Sequence, residues 1–174
     1  NKGDEMISGI FEMPITDESY PFSSAERYCH LSAKDYVERE YRVDGTANVY
    51  RTADEDGGVE VMTADAPYSN RIVVRAPKDP AQASGNVVVE IINPTSFMEI
   101  ERMWILGHGE FVRSGDIYVG ITSKPNTIAK LKEFNPDRYA FMSWANPTPE
   151  RPFDFDPEQL ERDGALPDMD ISYE

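Results

Sequence analysis

The sequence predicts an α/β fold in which antiparallel strands lead into a parallel pair. Three observations carry this. The first half alternates charged and β-prone residues between turn signals, as in Tyr36-Val37-Glu38-Arg39-Glu40-Tyr41-Arg42-Val43, the period-two pattern of half-exposed antiparallel strands. Val87-Val88-Val89-Glu90-Ile91-Ile92 is almost continuously apolar and β-branched, which suits a strand buried on both faces. Between that run and Ile117-Tyr118-Val119-Gly120-Ile121, the residues Ile100, Met103, Trp104, Phe111 and Val112 recur at helical spacing, so strand, helix and strand form a right-handed βαβ crossover with the two strands parallel.

Each element has its own signal. Ile7, Ile10, Phe11 and Met13 form a first strand that stops at Pro14. Asp44-Gly45 lies between two alternating runs and predicts a hairpin turn. A second turn at Asp54-Glu55-Asp56-Gly57-Gly58 precedes the strand Val59 to Met62, and a loop at Pro67 separates that strand from Arg71-Ile72-Val73-Val74-Arg75. The run 87–92 is expected in the centre of the sheet. After Asn93-Pro94, Ser96-Phe97-Met98-Glu99 reads as a capping box for a helix from about 97 to 114, ended by Ser114-Gly115. A short amphipathic helix is expected over 126–134, closed by Asn135-Pro136. Beyond it the chain is rich in proline and acids, with a helical suggestion only at Pro157 to Arg162.

Composition narrows the function classes. With 174 residues, one domain with a real core is the expectation. Seventeen basic against thirty-two acidic residues give a net charge of −15, so a nucleic-acid or anionic-membrane surface would have to form against long-range repulsion. No apolar run approaches the roughly 20 residues needed to cross a bilayer. Cys29 is the one cysteine, which leaves no internal disulfide and no Cys-x-x-Cys metal site. Nothing in the residues fixes a compartment.

Candidate chemistry is sparse. His108 lies four residues from both Trp104 and Val112, between Gly107 and Gly109, and reads as a core or interface histidine before a catalytic one. Cys29 and His30 are adjacent, and neighbours in an extended segment face opposite ways, so a thiol and imidazole pair is disfavoured. Asp54-Glu55-Asp56-Gly57-Gly58 lacks the register of a calcium loop and Asp154-Phe155-Asp156 has no companion ligands; both read as solvated turns. Glu38/Glu40 on one strand face and Glu99/Glu101 near a helix start are carboxylate pairs, and acid/base work by either pair requires a cleft that separates their pKa values. Gly-x-Ser-x-Gly, a Walker loop and Gly-x-Gly-x-x-Gly are all missing from the sequence. Neither a metal nor an organic cofactor is implied.

The order and spacing of several pieces nevertheless resemble a known family. They are Tyr36 to Tyr41, Gly45 to Tyr50, Pro67 to Arg75, Gly85 to Asn93, Trp104, His108, Val112 to Thr122, Leu131 and Phe134 to Tyr139. Together, over residues 36 to 145, they resemble a bacterial family described as alpha/beta hydrolase domain proteins. The resemblance implies that 87–92 is the third strand of that fold, the helix from 97 its first major helix and 116–122 its fourth strand. In that fold the loop after the third strand supplies an oxyanion-hole donor. Here that loop is Asn93-Pro94-Thr95-Ser96; Pro94 has no N–H, so Asn93, Thr95 and Ser96 are the candidates. The alternative is that Asn93 turns the chain and Ser96 caps the helix, and both readings can hold. Trp104, His108 and Trp144 are the pocket-lining candidates.

The family's nucleophile elbow follows its fifth strand, with an acid and a histidine later, and no residue of this sequence matches them. The expectation is therefore the N-terminal part of an alpha/beta hydrolase over residues 1–145, with 146–174 as a connecting segment toward the remainder. The expected partners are that remainder, as a second chain or a covalent continuation, and a small-molecule ester. The expected reaction is hydrolysis of a carboxylic ester, or an amide, through an acyl-serine, with no catalytic residue in these residues themselves. The strand 116–122 is expected to be the bare rim of the unfinished sheet, and the whole reading rests on that incompleteness; finding Ile117 to Thr122 flanked on both sides by this chain, with no further subunit alongside, would defeat it. The competing readings are a non-catalytic, acidic interaction module and a calcium-binding β-rich domain.

Overall fold

The computed structural model describes residues 6–20, 29–53, 57–94 and 99–144. Strand β1 (Ile7–Met13) pairs antiparallel with β2 (Tyr36–Thr52), which pairs antiparallel with β3 (Val59–Pro77). Strand β4 (Val87–Ile91), helix α1 (Arg102–Ser114) and strand β5 (Ile117–Ile121) make the crossover, and β4 and β5 are parallel. Helices α2 (Pro125–Phe134) and α3 (Pro136–Tyr139) and the two-residue strand β6 (Ser143–Trp144) follow. The sheet order is β1-β2-β3-β5-β4, with β6 on β3. A mixed sheet that passes from antiparallel to parallel through a βαβ unit is the expected α/β architecture.

The sheet order corrects one expectation. β5 is not the rim: it pairs with β3 from Ile72↔Ile121 to Arg75↔Tyr118 and with β4 from Val87↔Ile117 to Ile91↔Ile121. Both flanks of β5 are covered by this chain, and among the described residues the edge of the sheet on that side is β4. Two apolar strands of equal length look alike in hydropathy. They differ in burial: Tyr118 is fully buried, whereas Val87, Val89 and Ile91 are 54, 58 and 72% exposed.

Turn signals misled in two places. β2 runs straight through Asp44-Gly45, which pair with Ser69 and Tyr68. The glycine is needed because the Met6 carbonyl oxygen and the Tyr68 hydroxyl crowd the space that a Cβ would fill. Pro67 lies within β3, opposite Thr46, rather than in a loop. The hairpin closes at the second signal, between Thr52 and Val59. The predicted helix start also shifts. α1 begins at Arg102, and the carboxylate of Glu90 on β4 accepts from Met103 N at 3.0 Å and Trp104 N at 3.4 Å, doing from the sheet what the capping box was expected to do.

Cross-strand partners share a face, so the register sorts the sheet into two. One face carries Glu38, Glu40, Arg71, Val73, Arg75, Tyr118, Thr122, Val88 and Glu90. The helices lie there: Trp104 of α1 packs with Tyr118, Cys29, Leu31 and Tyr36, and Tyr139 and Arg138 of α3 reach Glu40. A second cluster joins Ile128 and Leu131 of α2 to Tyr139 and Met142. The other face carries Tyr41, Ile72, Val74, Val119, Ile121, Val87, Val89 and Ile91, and bears no helix among the described residues.

Gly115 ends α1 at φ 78°, and the Gln82 carbonyl oxygen stands where its Cβ would go. Gly115→Ala is expected to cost more than about 1 kcal/mol in urea unfolding, with the same denatured-state slope; an unchanged midpoint would contradict the packing of α1 against the 80–84 turn.

Candidate functional site

The carboxyl ends of β4 and β5 and the segment between Asn93 and Ile100 form the candidate site. Asn93 and Ile100 close the segment at its base through a two-bond bridge, Asn93 N to Ile100 O at 3.2 Å and Ile100 N to Asn93 O at 2.9 Å. Ser123 Oγ donates to Ile92 O at 2.8 Å and Asn126 Nδ2 donates to Pro94 O at 3.2 Å, tying the entry of the loop to the exit of β5. Within this closure residues 95–98 are outside the described part.

Beneath the loop lie two arginines, Arg71 and Arg75, four residues apart on one face of β3 and fully buried. Arg71 Nε bonds Glu40 Oε1, and its Nη1 reaches Glu99 Oε2 at 2.6 Å and Thr122 Oγ1 at 3.2 Å. Thr122 Oγ1 donates to the other oxygen of Glu99 at 2.5 Å. Glu40 also accepts from Arg138 Nη2 at 2.5 Å and from the Tyr139 hydroxyl at 2.9 Å. Arg75 pairs with Glu38 at 2.7 Å and Glu101 at 2.6 Å, and its guanidinium lies 4.5 Å from the Trp104 ring centre. Isolated buried charges are prohibitively costly, so each arginine collects carboxylates from two different segments.

These contacts set the titration of the groups. Burial alone raises the Glu40 carboxyl pKa, but Arg71 and Arg138 outweigh it and hold the group below its ordinary 4.5. Burial and the hydrogen bond to Glu90 push the Tyr118 hydroxyl well above the usual tyrosine range, so it stays a donor. Burial raises the Cys29 thiol, the opposite of what a nucleophilic thiolate requires, and His30 beside it is exposed.

The structure disperses part of the predicted site. Trp104 is fully buried against Arg75 and Tyr118. His108 is half-buried on α1, with Nδ1 at 3.1 Å from Trp104 O and 3.3 Å from Ile105 O, a local contact within its own helix. In the described residues both side chains take part in the packing of α1. Trp144 does line a slot of about 260 Å³ with Ala47, Val49, Ala66, Pro67, Tyr68 and Asn70. Asn70 Nδ2 donates to Thr122 O at 3.0 Å, which places the slot beside the exit of β5. Asn93 stands at the loop, but its N–H is already given to Ile100 O. Thr95 and Ser96 lie outside the described residues, as do Asp54-Glu55-Asp56, Asp154, Asp156 and the segment 146–174. With α1 starting at Arg102, Ser96 is too far upstream to be its N-cap.

The two carboxylate pairs are real but serve another purpose. Glu38, Glu40, Glu99 and Glu101 are all partners of Arg71 and Arg75. Arg71, Arg75 and Thr122, which sequence reasoning did not single out, form the buried polar network beside the candidate site. The available signal was two arginines at i and i+4 in an otherwise apolar strand, on the face that alternation assigns to the core. Among the described residues no group of three His, Cys, Asp or Glu side chains is placed to hold a metal ion.

Comparison with known proteins agrees with this topology. The family described as "Alpha/beta hydrolase domain" matches residues 11–174, which extends the resemblance at both ends. No curated protein and no solved structure matches the chain.

Two outcomes test the buried network. Arg71→Met removes the guanidinium shared by Glu40 and Glu99, leaving Glu40 to Arg138 and Tyr139 and the buried Glu99 carboxylate to Thr122 alone, and is expected to cost about 3–5 kcal/mol of unfolding free energy; a loss under about 1 kcal/mol would show that water reaches the site. Because the Glu40 pKa is lower folded than unfolded, its contribution is complete above pH 4.5 and drains away as pH falls through the folded value. The urea midpoint should therefore drop on acidification below that pH, and Glu40→Gln should flatten this part of the profile.

Proposed function

The chain belongs to the alpha/beta hydrolase family, and from that premise we propose that it forms the N-terminal part of a serine-type hydrolase acting on carboxylic esters, and less readily on amides. Its contribution is the oxyanion-hole loop and one wall of the substrate pocket. The observation that carries this is the loop 93–100, closed on itself and anchored at the carboxyl ends of two parallel strands, where ligands of open α/β sheets bind. Since Asn93 N–H is engaged with Ile100, the donor aimed at the developing oxyanion is assigned to Thr95 or Ser96. Trp144, Tyr68 and Asn70 form the wall.

The nucleophile, the acid and the histidine are proposed to come from the remainder of the enzyme. The expectation of a bare rim at residues 116–122 is abandoned, and the support now comes from β4. A parallel strand is stable when both faces and both edges are covered, and among the described residues β4 has a free edge and three exposed branched side chains. The neighbouring α1 exposes Met103, Ile105 and Leu106, the last by 86%. A further parallel strand beside β4, with its own helix, would cover both. The family match over residues 11–174 supports treating the proline-rich segment 146–174 as part of the same domain, linking toward that remainder.

A fluorophosphonate probe and intact-mass analysis of the native enzyme test this reading. Labelling is expected on a serine outside this sequence, in a polypeptide continuous with it or bound to it, together with hydrolysis of p-nitrophenyl acetate. A stable, monomeric species of this chain alone that neither labels nor turns over the ester would overturn it and leave the acidic interaction module. Val89→Lys is expected to preserve the described fold while lowering the labelled yield severalfold, since it charges the face that the remainder covers.

A further inference from the structure

We propose that the cavity at the amino end of β5 binds a phosphate dianion, either free or as the end of a small phosphomonoester. It lies at the opposite end of the parallel strands from the loop after β4 and is independent of the hydrolase reading. Its volume is about 850 Å³, within the range of small-molecule sites. One wall is the 3-10 turn Leu31–Lys34 with the start of β2, a second is the end of β3 with the turn Pro80–Gln82, and the third is the last turn of α1. Hydrogen bonds lock these walls together. Lys78 N donates to Asp35 O at 2.7 Å, one step beyond the Tyr36↔Pro77 pair that ends the ladder, and Ser84 N donates to Gly115 O at 2.8 Å. The Tyr36 hydroxyl, 2.9 Å from both Phe111 O and Asp116 O, ties β2 to the end of α1.

The lining sets three cations, Lys34, Lys78 and Arg113, against two carboxylates, Asp35 and Asp79, in a chain whose net charge is −15. Acids outnumber bases thirty-two to seventeen, so scarcity of partners does not explain a lysine left without one. Lys34 and Lys78 are exposed and make no ion pair among the described residues. Arg113 engages Glu110 through Nη2 alone. Asp79 Oδ1 accepts from Ala81 N at 3.0 Å, which turns that carboxylate to its own turn. Cations also gather where a helix C-terminus leaves carbonyls unpaired, but this helix end is capped without them. Phe111 O accepts from the Tyr36 hydroxyl and Asp116 N, and Val112 O from Gly115 N. Two ammonium charges and a guanidinium suit a doubly charged phosphate, and Pro77 and Val112 give the body of an ester an apolar surface. Because the chain as a whole repels anions at a distance, these close contacts must supply the affinity, and a singly charged ion gains too little from them.

The test is a phosphorus NMR and calorimetric titration of the native protein with inorganic phosphate and with glycerol 3-phosphate, at an ionic strength fixed by sodium chloride. Saturable binding is expected, weakened about threefold by Lys34→Gln or Lys78→Gln and about tenfold by the two together. Asp35→Asn should tighten it about twofold, since the left-handed backbone at φ 54° accepts asparagine. Lys132→Gln removes an unpaired lysine that lines neither described cavity and should leave binding unchanged. Tighter binding of the ester than of phosphate assigns the site to a phosphomonoester, and equal binding assigns it to the free ion. No saturable binding of either probe, an affinity unchanged in the double lysine variant, or an equal loss in Lys132→Gln would overturn the proposal, and none of these results touches the hydrolase reading.

Discussion

Two guanidinium groups that solvent does not reach, on one face of β3, are the constraint around which this sheet is organised. Arginine stays protonated at any ordinary pH, so Arg71 and Arg75 cannot escape burial by neutralising. They must be met by carboxylates, and the carboxylates come in adjacent pairs from the neighbouring strand and from the segment after β4: Glu38 and Glu40 on β2, Glu99 and Glu101 before α1. The i, i+2 spacing of the acids matches the i, i+4 spacing of the arginines because each pair of acids lies on one face and straddles the same stretch of β3. Trp104 and Tyr118 close over Arg75 with their ring faces, so the apolar cluster under α1 is built on a charge rather than beside one.

That arrangement accounts for the asymmetry of the molecule. The charged face is roofed by helices and the opposite face is lined with branched residues that no described helix covers. Charge pairing fixes geometry through direction, whereas apolar contact tolerates sliding. The loop after β4 is held by the first kind of contact, and the opposite face of the sheet offers the second among the described residues. The two faces thus divide the sheet between precision and adhesion.

Much of this was legible in the residues. The antiparallel-to-parallel transition, the crossover from β4 through α1 to β5, the α2 helix and the end of β1 at Pro14 follow from periodicity and proline positions, because those signals are local. The order of β4 and β5 was not legible, since two apolar strands of five residues carry no mark of which has a neighbour on each side. Asp44-Gly45 misled because a glycine required by a tertiary contact, here Met6 and Tyr68 against its α-carbon, is indistinguishable in sequence from one required by a turn. At the candidate site, Asn93 bridges to Ile100 and Trp144 pairs with Tyr68 of β3, while Trp104 and His108 take part in the packing of α1. The Ser96 and Glu99 capping box failed for an instructive reason: Glu99 had a stronger claim from Arg71 than from the helix, and Glu90, distant in sequence, took the cap.

The position of β5 between β3 and β4 also bears on how the chain acquires its shape as it is made. β2 and β3 can zip together as soon as they emerge, because one short turn joins them. β4 emerges next and finds no partner, since the strand that will connect it to the hairpin begins about thirty residues later. Until α1 and β5 have been synthesised and β5 has slotted into the middle, a hydrophobic ribbon is left in the open, and the nascent polypeptide passes through an interval in which a chaperone has the most to protect.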